Sequence, residues 1–275
     1  MWLLFLFPVF PAGAQQRPLR TDDAALLAAG RVRAEFGIEF MQGQKYPLSG
    51  LVGDLTRVGA TGFQVGVGEY AEFQISGVFQ DFLSVTRQGQ AVIPPNFLGN
   101  ATSDFGDLVL ATKLKLLSDS AWRPGMAFKF AVQLPMATNE SGLGTDETEF
   151  FASLLLAKQL GRVRLLGSLG LAIMGSPVEP NTQADKITYG AGMILRMHPR
   201  INLAAEITGR EGPERVGNEN QRLARLGLQF ISGGFRWDVA GIAGFKHHDP
   251  DTGLAVGVTY EFQAFNKSGK PKTIK

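Results

Sequence analysis

The sequence predicts an all-β fold, a transmembrane, antiparallel up-and-down β-barrel of about twelve strands. Three observations carry that expectation. Stretch after stretch alternates apolar and polar residues with a period of two, the mark of a strand whose two faces meet different surroundings. The connections between those stretches alternate between short and long, as the turns and outer loops of a membrane barrel do. The chain also opens on an export signal. Trp2 to Phe10 supply a short apolar core, and Ala12-Gly13-Ala14 forms a small-residue cleavage pattern before Gln15.

Composition narrows the classes. The 275 residues include 34 glycines and 20 phenylalanines, which suit turns and crowded sheets better than helices. A formal net charge of +2 gives no excess of positive charge of the kind that binds nucleic acid. No cysteine is present, so disulfides, thiolate metal sites and a cysteine nucleophile are excluded. After the signal, no stretch approaches the ~18 uninterrupted apolar residues of a spanning helix. The expected organisation is a signal peptide over 1–14, a polar lead over 15–30, the barrel over 31–262 and a polar periplasmic tail over 263–275.

Each element follows from its own pattern. In the lead, the run Ala24 to Ala29 predicts a helical turn near the barrel mouth. The first strand, Arg31 to Met41, sets Val32, Ala34, Phe36, Ile38 and Phe40 against Arg31, Arg33, Glu35 and Glu39. Leu55 to Val67 is a glycine-rich second strand. Ala71 to Val85 alternates Phe73, Ile75 and Phe79 with Glu72, Gln74, Ser76 and Gln80. Asp107 to Leu117 and Met126 to Leu134 place leucines and phenylalanines opposite Lys113, Lys115, Lys129 and Gln133. Glu149 to Ala157 and Arg162 to Met174 flank a tight turn at 158–162. Lys186 to Met197 and Arg200 to Arg210 meet at His198-Pro199, and Arg222 to Ile231 and Phe235 to Phe245 meet at 232–234. The last strand, Leu254 to Phe262, turns Tyr260 and Phe262 to the apolar face, where a lower aromatic girdle belongs. It is expected to pair with the first strand, with Glu261 as counter-charge to Arg31 or Arg33 across the seam. The outer loops at 42–54 and 87–104 are the ones a plugged barrel would present to partners.

A soluble sandwich would alternate too, but its loops would be of comparable length at both ends. If the apolar faces meet lipid, the polar faces line a lumen. With both termini periplasmic, Arg31, Arg33, Lys113, Lys115, Arg162, Arg164, Arg196 and Arg236 lie low, with Glu72, Asp238 and Glu261 among them. Lys129 joins the lining, and Glu35, Glu39 and Glu206 sit at mid-height. The periplasmic half should then be net positive. Two readings follow: a field drawing small anionic or carboxylated solutes inward, or a ladder of ion pairs that fills a narrow barrel and leaves the outer loops to meet partners. The partners expected are outer-membrane lipid, the barrel-assembly machinery and an unidentified small solute.

Enzymatic readings fare worse. The histidines are His198, His247 and His248. His198 precedes Pro199 in a turn, and the segment from His247 to Asp251 has metal-type residues without a spacing that would converge them. No serine is placed to pair with either. Gly66 and Gly68 stand before a strand, not a helix, so no phosphate loop forms and no cofactor is implied.

Short motifs along the mature chain resemble a family of outer-membrane barrels named for the meta-cleavage pathway of phenol degradation. They are Thr21-Asp22-Asp23 leading to Gly30 through Glu35; Gly106 to Leu110 with Lys113; Val132 to Pro135, then Gly142 to Thr145; Lys158 to Gly161; Tyr189-Gly190; Pro199-Arg200; Ala205-Glu206; and Tyr260-Glu261-Phe262. The resemblance implies an outer-membrane transporter for small aromatic or other hydrophobic compounds.

Overall fold

A computed structural model describes residues 17–97 and 99–265. The expected signal peptide and most of the polar tail lie outside the described residues. Thirteen strands form one antiparallel sheet among them: β1 (Arg31–Tyr46), β2 (Leu51–Val67), β3 (Ala71–Gln88), β4 (Ala101–Asp104), β5 (Leu108–Leu117), β6 (Gly125–Leu134), β7 (Glu149–Leu160), β8 (Val163–Gly175), β9 (Gln183–His198), β10 (Ile201–Glu211), β11 (Gln221–Ser232), β12 (Phe235–Gly244) and β13 (Thr252–Gln263). Every strand except β4 pairs on both sides, so twelve strands close into a barrel. The closing seam is β1 against β13, in register from Arg31↔Gln263 to Gln42↔Thr252. The seam pairs the edges of β1 and β13, which a sheet in lipid cannot leave open.

The outer face is apolar. Phe36, Ile38, Phe63, Phe73, Leu110, Phe130, Leu154, Leu169, Leu226 and Val256 all stand exposed. Their inward neighbours Arg33, Glu35, Glu39, Glu72, Lys113 and Glu206 are buried. That inversion of the soluble pattern is what a lipid-facing wall requires. At the short-turn rim the rings of Phe235, Tyr260 and Phe262 stack in series, at centroid distances of 4.7 and 5.7 Å, with Trp237 beside Phe235. These rings form the aromatic cluster anticipated from β13, on two adjacent strands of that rim.

The strand bounds depart from expectation at the long-loop end. The expected loop 42–54 is mostly wall, because β1 runs to Tyr46 and β2 starts at Leu51. Here buried Met41, Leu51, Leu55 and Leu83 cluster, with Tyr46, Val85, Phe97 and Leu143 packed on them. The polar-inward rule therefore ends below these residues. Within the other expected loop, Ala101–Asp104 adds the short β4 to the upper part of β3. The turn between β7 and β8 is only 161–162, where Gly161 takes φ +57°. Lys158 and Gln159 thus belong to the strand.

Candidate functional site

The lumen is organised by the lead. Residues 17–30 form neither helix nor strand, so the expected helical turn is absent. The segment runs extended from the start of β1 into the barrel. Alanine and leucine alone do not nucleate a helix this short, and wall carboxylates satisfy the backbone N–H groups instead. The Arg20 and Thr21 amides donate to the two oxygens of Glu206, at 2.7 and 2.8 Å. The Leu27 amide donates to Glu72 at 2.6 Å. Charge-assisted bonds of this kind are each worth roughly 1.5–3 kcal/mol.

The side chains of the lead then meet opposite charges on the wall. Asp22 accepts from Lys113 at 3.2 Å, Lys129 at 2.9 Å and Gln74 at 3.1 Å. Asp23 accepts from Arg164 at 2.6 Å and is capped by the Ala25 amide. Arg20 pairs with Glu39 at 2.8 Å, and Arg17 lies 3.5 Å from Asp238 and donates to the Val256 carbonyl. The carbonyls of Arg17 and Pro18 accept from Gln229 and Arg225. Apolar packing completes the seat: Leu19 and Ala24 cluster with Ala127, Leu155, Ala157, Leu166, Ile194 and Ala204. Counting Gly66, which accepts from the Gly30 amide, and Gly190, which lies against Thr21, the lead reaches all twelve wall strands. Gly37 and Gly257 face each other across the seam, and a Cβ on either would strike the Arg17 guanidinium.

The expected lining residues divide into three groups. Arg33, Glu35, Glu39, Glu72, Lys113, Lys129, Arg164, Glu206, Arg236 and Asp238 do face inward, and most of them hold the lead or one another. Glu261 bridges Arg31 at 2.6 Å and Arg33 at 3.0 Å, the seam counter-charge expected from β13. Lys115 stands lower, its ammonium 5.1 Å from the Tyr70 ring centre. Arg162, in the turn, and Arg196, near the end of β9, are exposed at the rim instead of lining the lumen. The lower half is also not a bare positive field, because Asp22 and Asp23 bring acids to its lysines and to Arg164.

Residues unmarked in the sequence reading complete the site. Arg225 is buried between Glu39 (3.3 Å) and Glu206 (4.0 Å), and Arg57 lies 3.4 Å from Asp81. Two adjoining cavities of about 510 and 410 Å³ open above the lead, sharing Arg20, Asp22, Lys129, Gln133 and Arg210 in their walls. A separate recess of about 360 Å³ lies below it, lined by Ala24 to Ala29, Lys115, Asp119 and Arg164. The lead is the floor of one space and the roof of the other. The His247 and His248 rings meet edge to face at 4.7 Å in the last loop. Neighbouring Asp249 is buried and accepts from the amides of Arg222, Phe245 and Lys246, fixing the loop. No group of three or more metal-type side chains converges among the described residues.

No family model matches the sequence, and no curated protein matches it. Solved structures do. The structure is similar to an outer membrane channel of the COG4313 group from Pseudomonas putida F1, with a TM-score of 0.60 at 14% identity over 86% of this chain and 97% of that one. It is also similar to the KdgM porin in complex with disordered oligogalacturonate (TM-score 0.51, 8% identity, 84% of this chain and 99% of that one). The translocator domain of the autotransporter NalP from Neisseria meningitidis gives a TM-score of 0.50 at 14% identity, over 84% of this chain and 88% of that one. At such identities the likeness is one of fold.

Proposed function

We propose that the protein is an outer-membrane channel for small molecules whose resting lumen is closed by its own N-terminal lead. The observation that carries this reading is the layering of the lumen: charged cavities above, a recess below, and between them a segment without secondary structure. Outer-membrane lipid fits the apolar outer wall, and assembly machinery of the envelope would insert it. A channel and a porin among the similar folds agree with the reading without deciding it. Small aromatic, hydrophobic or carboxylated compounds are the first solutes to try, given the family the sequence resembles. A second reading, a barrel permanently plugged and used structurally, is favoured by the lead's contact with every wall strand.

The test is conductance in planar bilayers of the refolded full chain and of a chain lacking residues 17–28. The channel reading expects ion current through the truncated barrel at least tenfold above that of the full chain. A truncated barrel that folds, shown by heat-dependent gel mobility, yet passes no current would sink it.

A further inference from the structure

The geometry points to Lys113, Lys129 and Arg164 as a binding site for a solute carboxylate with an apolar body, occupied in the resting protein by the chain's own Asp22 and Asp23. The inference rests on the channel reading above and names its solute class.

The wall does not neutralise these cations by itself. Lys113 has Glu72 at 3.0 Å, but its cross-strand neighbour on β6 is Lys129, a like charge that costs stability. Lys129 faces Ser153 on its other side. Arg164 is flanked by Gln159 and Ile194, and its wall acid is Asp119 at 3.4 Å. Lys113 is fully buried and needs an anion beside it, while Lys129 and Arg164 keep partial exposure to the cavities above and the recess below, where a solute can reach them. Asp22 supplies an anion to both lysines and Asp23 supplies one to Arg164, at 3.2, 2.9 and 2.6 Å. Two consecutive carboxylates on an extended strap thus stand where a ligand's carboxylate would stand.

The surroundings specify the rest of the ligand. Ala127, Leu155 and Leu166, from β6, β7 and β8, form an apolar wall patch in the same part of the lumen. Leu19 and Ala24 of the lead cover that patch. Displacing the strap exposes cations and apolar surface together, a pairing that suits a carboxylate on an apolar ring better than a small inorganic anion. Residues 17–30 belong to no strand of the sheet, so the strap can be displaced without breaking the ladder that closes the wall. Binding of solute and seating of the strap then compete for one set of cations.

Benzoate current against chloride current in planar bilayers tests this. Asp22→Asn/Asp23→Asn in the full chain is expected to raise benzoate current about tenfold, and chloride current less than a third as much. Equal gains for the two anions, or no gain, would overturn the proposal. A second variant needs no comparison between proteins. A Cβ on Gly190 would stand 2.7 Å from the Thr21 hydroxyl, so Thr21→Cys/Gly190→Cys can lock the strap in a chain that has no other cysteine. Oxidation should abolish its benzoate current and reductant restore it; current indifferent to oxidation overturns the proposal even if the Asn variant fails to fold. The two readings fail separately. A folded barrel without residues 17–28 that carries no current ends the channel reading, whereas one that conducts while the Asn and locked variants behave as wild type ends this one alone.

Discussion

Below the level of Glu206, the lead engages a cluster of wall charges: Glu72 through the Leu27 amide, Lys113 and Lys129 through Asp22, Arg164 through Asp23. Above it, the same strands offer Arg57, Asp81, Arg210 and Asp107 to open cavities. Inward-facing charges stand in both halves, so the wall charges alone do not decide which half is filled. The difference teaches that a strand pattern sets which residues face a lumen, whereas a segment outside the pattern sets what they do there.

Truncation of the lead and the Asp22/Asp23 exchange break that contrast most strongly. Next in size should be Glu206→Gln. This buried carboxylate accepts two backbone amides of the lead and stands 4.0 Å from Arg225. Losing the charge should lower unfolding free energy in detergent by about 2–4 kcal/mol. Amide exchange at Arg20 and Thr21 should rise far more than exchange in the β11–β12 ladder. Equal increases everywhere would mean that the lead and wall melt as one unit. Gly257→Val acts on the other end of the strap. Its side chain would displace the Arg17 guanidinium, at a cost of about 1–3 kcal/mol. Loosening should stay near Arg17, Asp238 and Gln229 and leave the Asp22 contacts intact, which the same exchange measurement reads.

The wall was legible because each strand carries its own evidence. Phe128 and Phe130 against Lys129, or Val256 and Val258 against Ala255 and Gly257, fix both strand and face without reference to anything distant. Glu261 could be matched to Arg31 and Arg33 because closure makes the first and last strands neighbours. The seat of the lead was not legible. Thr21 and Glu206 meet across the lumen with no local pattern to join them. Two signals did exist. Arg164 lacks an acid in either cross-strand position, which calls for a counter-charge from elsewhere. The inward glycines Gly37, Gly190 and Gly257 mark where another segment lies close to the wall. The upper ends of β1 and β2 were missed because Met41, Leu51 and Leu55 turn apolar surface inward, against the period that identified the strands. Four-residue β4 is too short to show a period at all.

The smallest effect tests the boundary between strap and recess. Asp119 lies in the turn between β5 and β6, below the lead. Burial works against its charge, but the Gln159 amide at 2.9 Å and Lys158 at 3.1 Å, with Arg164 nearby, hold its carboxyl below the usual carboxylate range. A carboxyl depressed in the folded state contributes stability above its unfolded value and loses that contribution as pH falls through the folded one. Protection of the Gln159 amide should therefore be flat from pH 7 to about pH 5 and decline only below about pH 4. Asp119→Asn should show low protection at every pH. Arg164 is shared between Asp119 and Asp23, so neutralising Asp119 leaves that guanidinium to the strap alone. The Asn variant should thus seat the lead slightly more firmly while fraying the turn, and a lead that loosens with the turn would show that the recess and the strap are one structural unit.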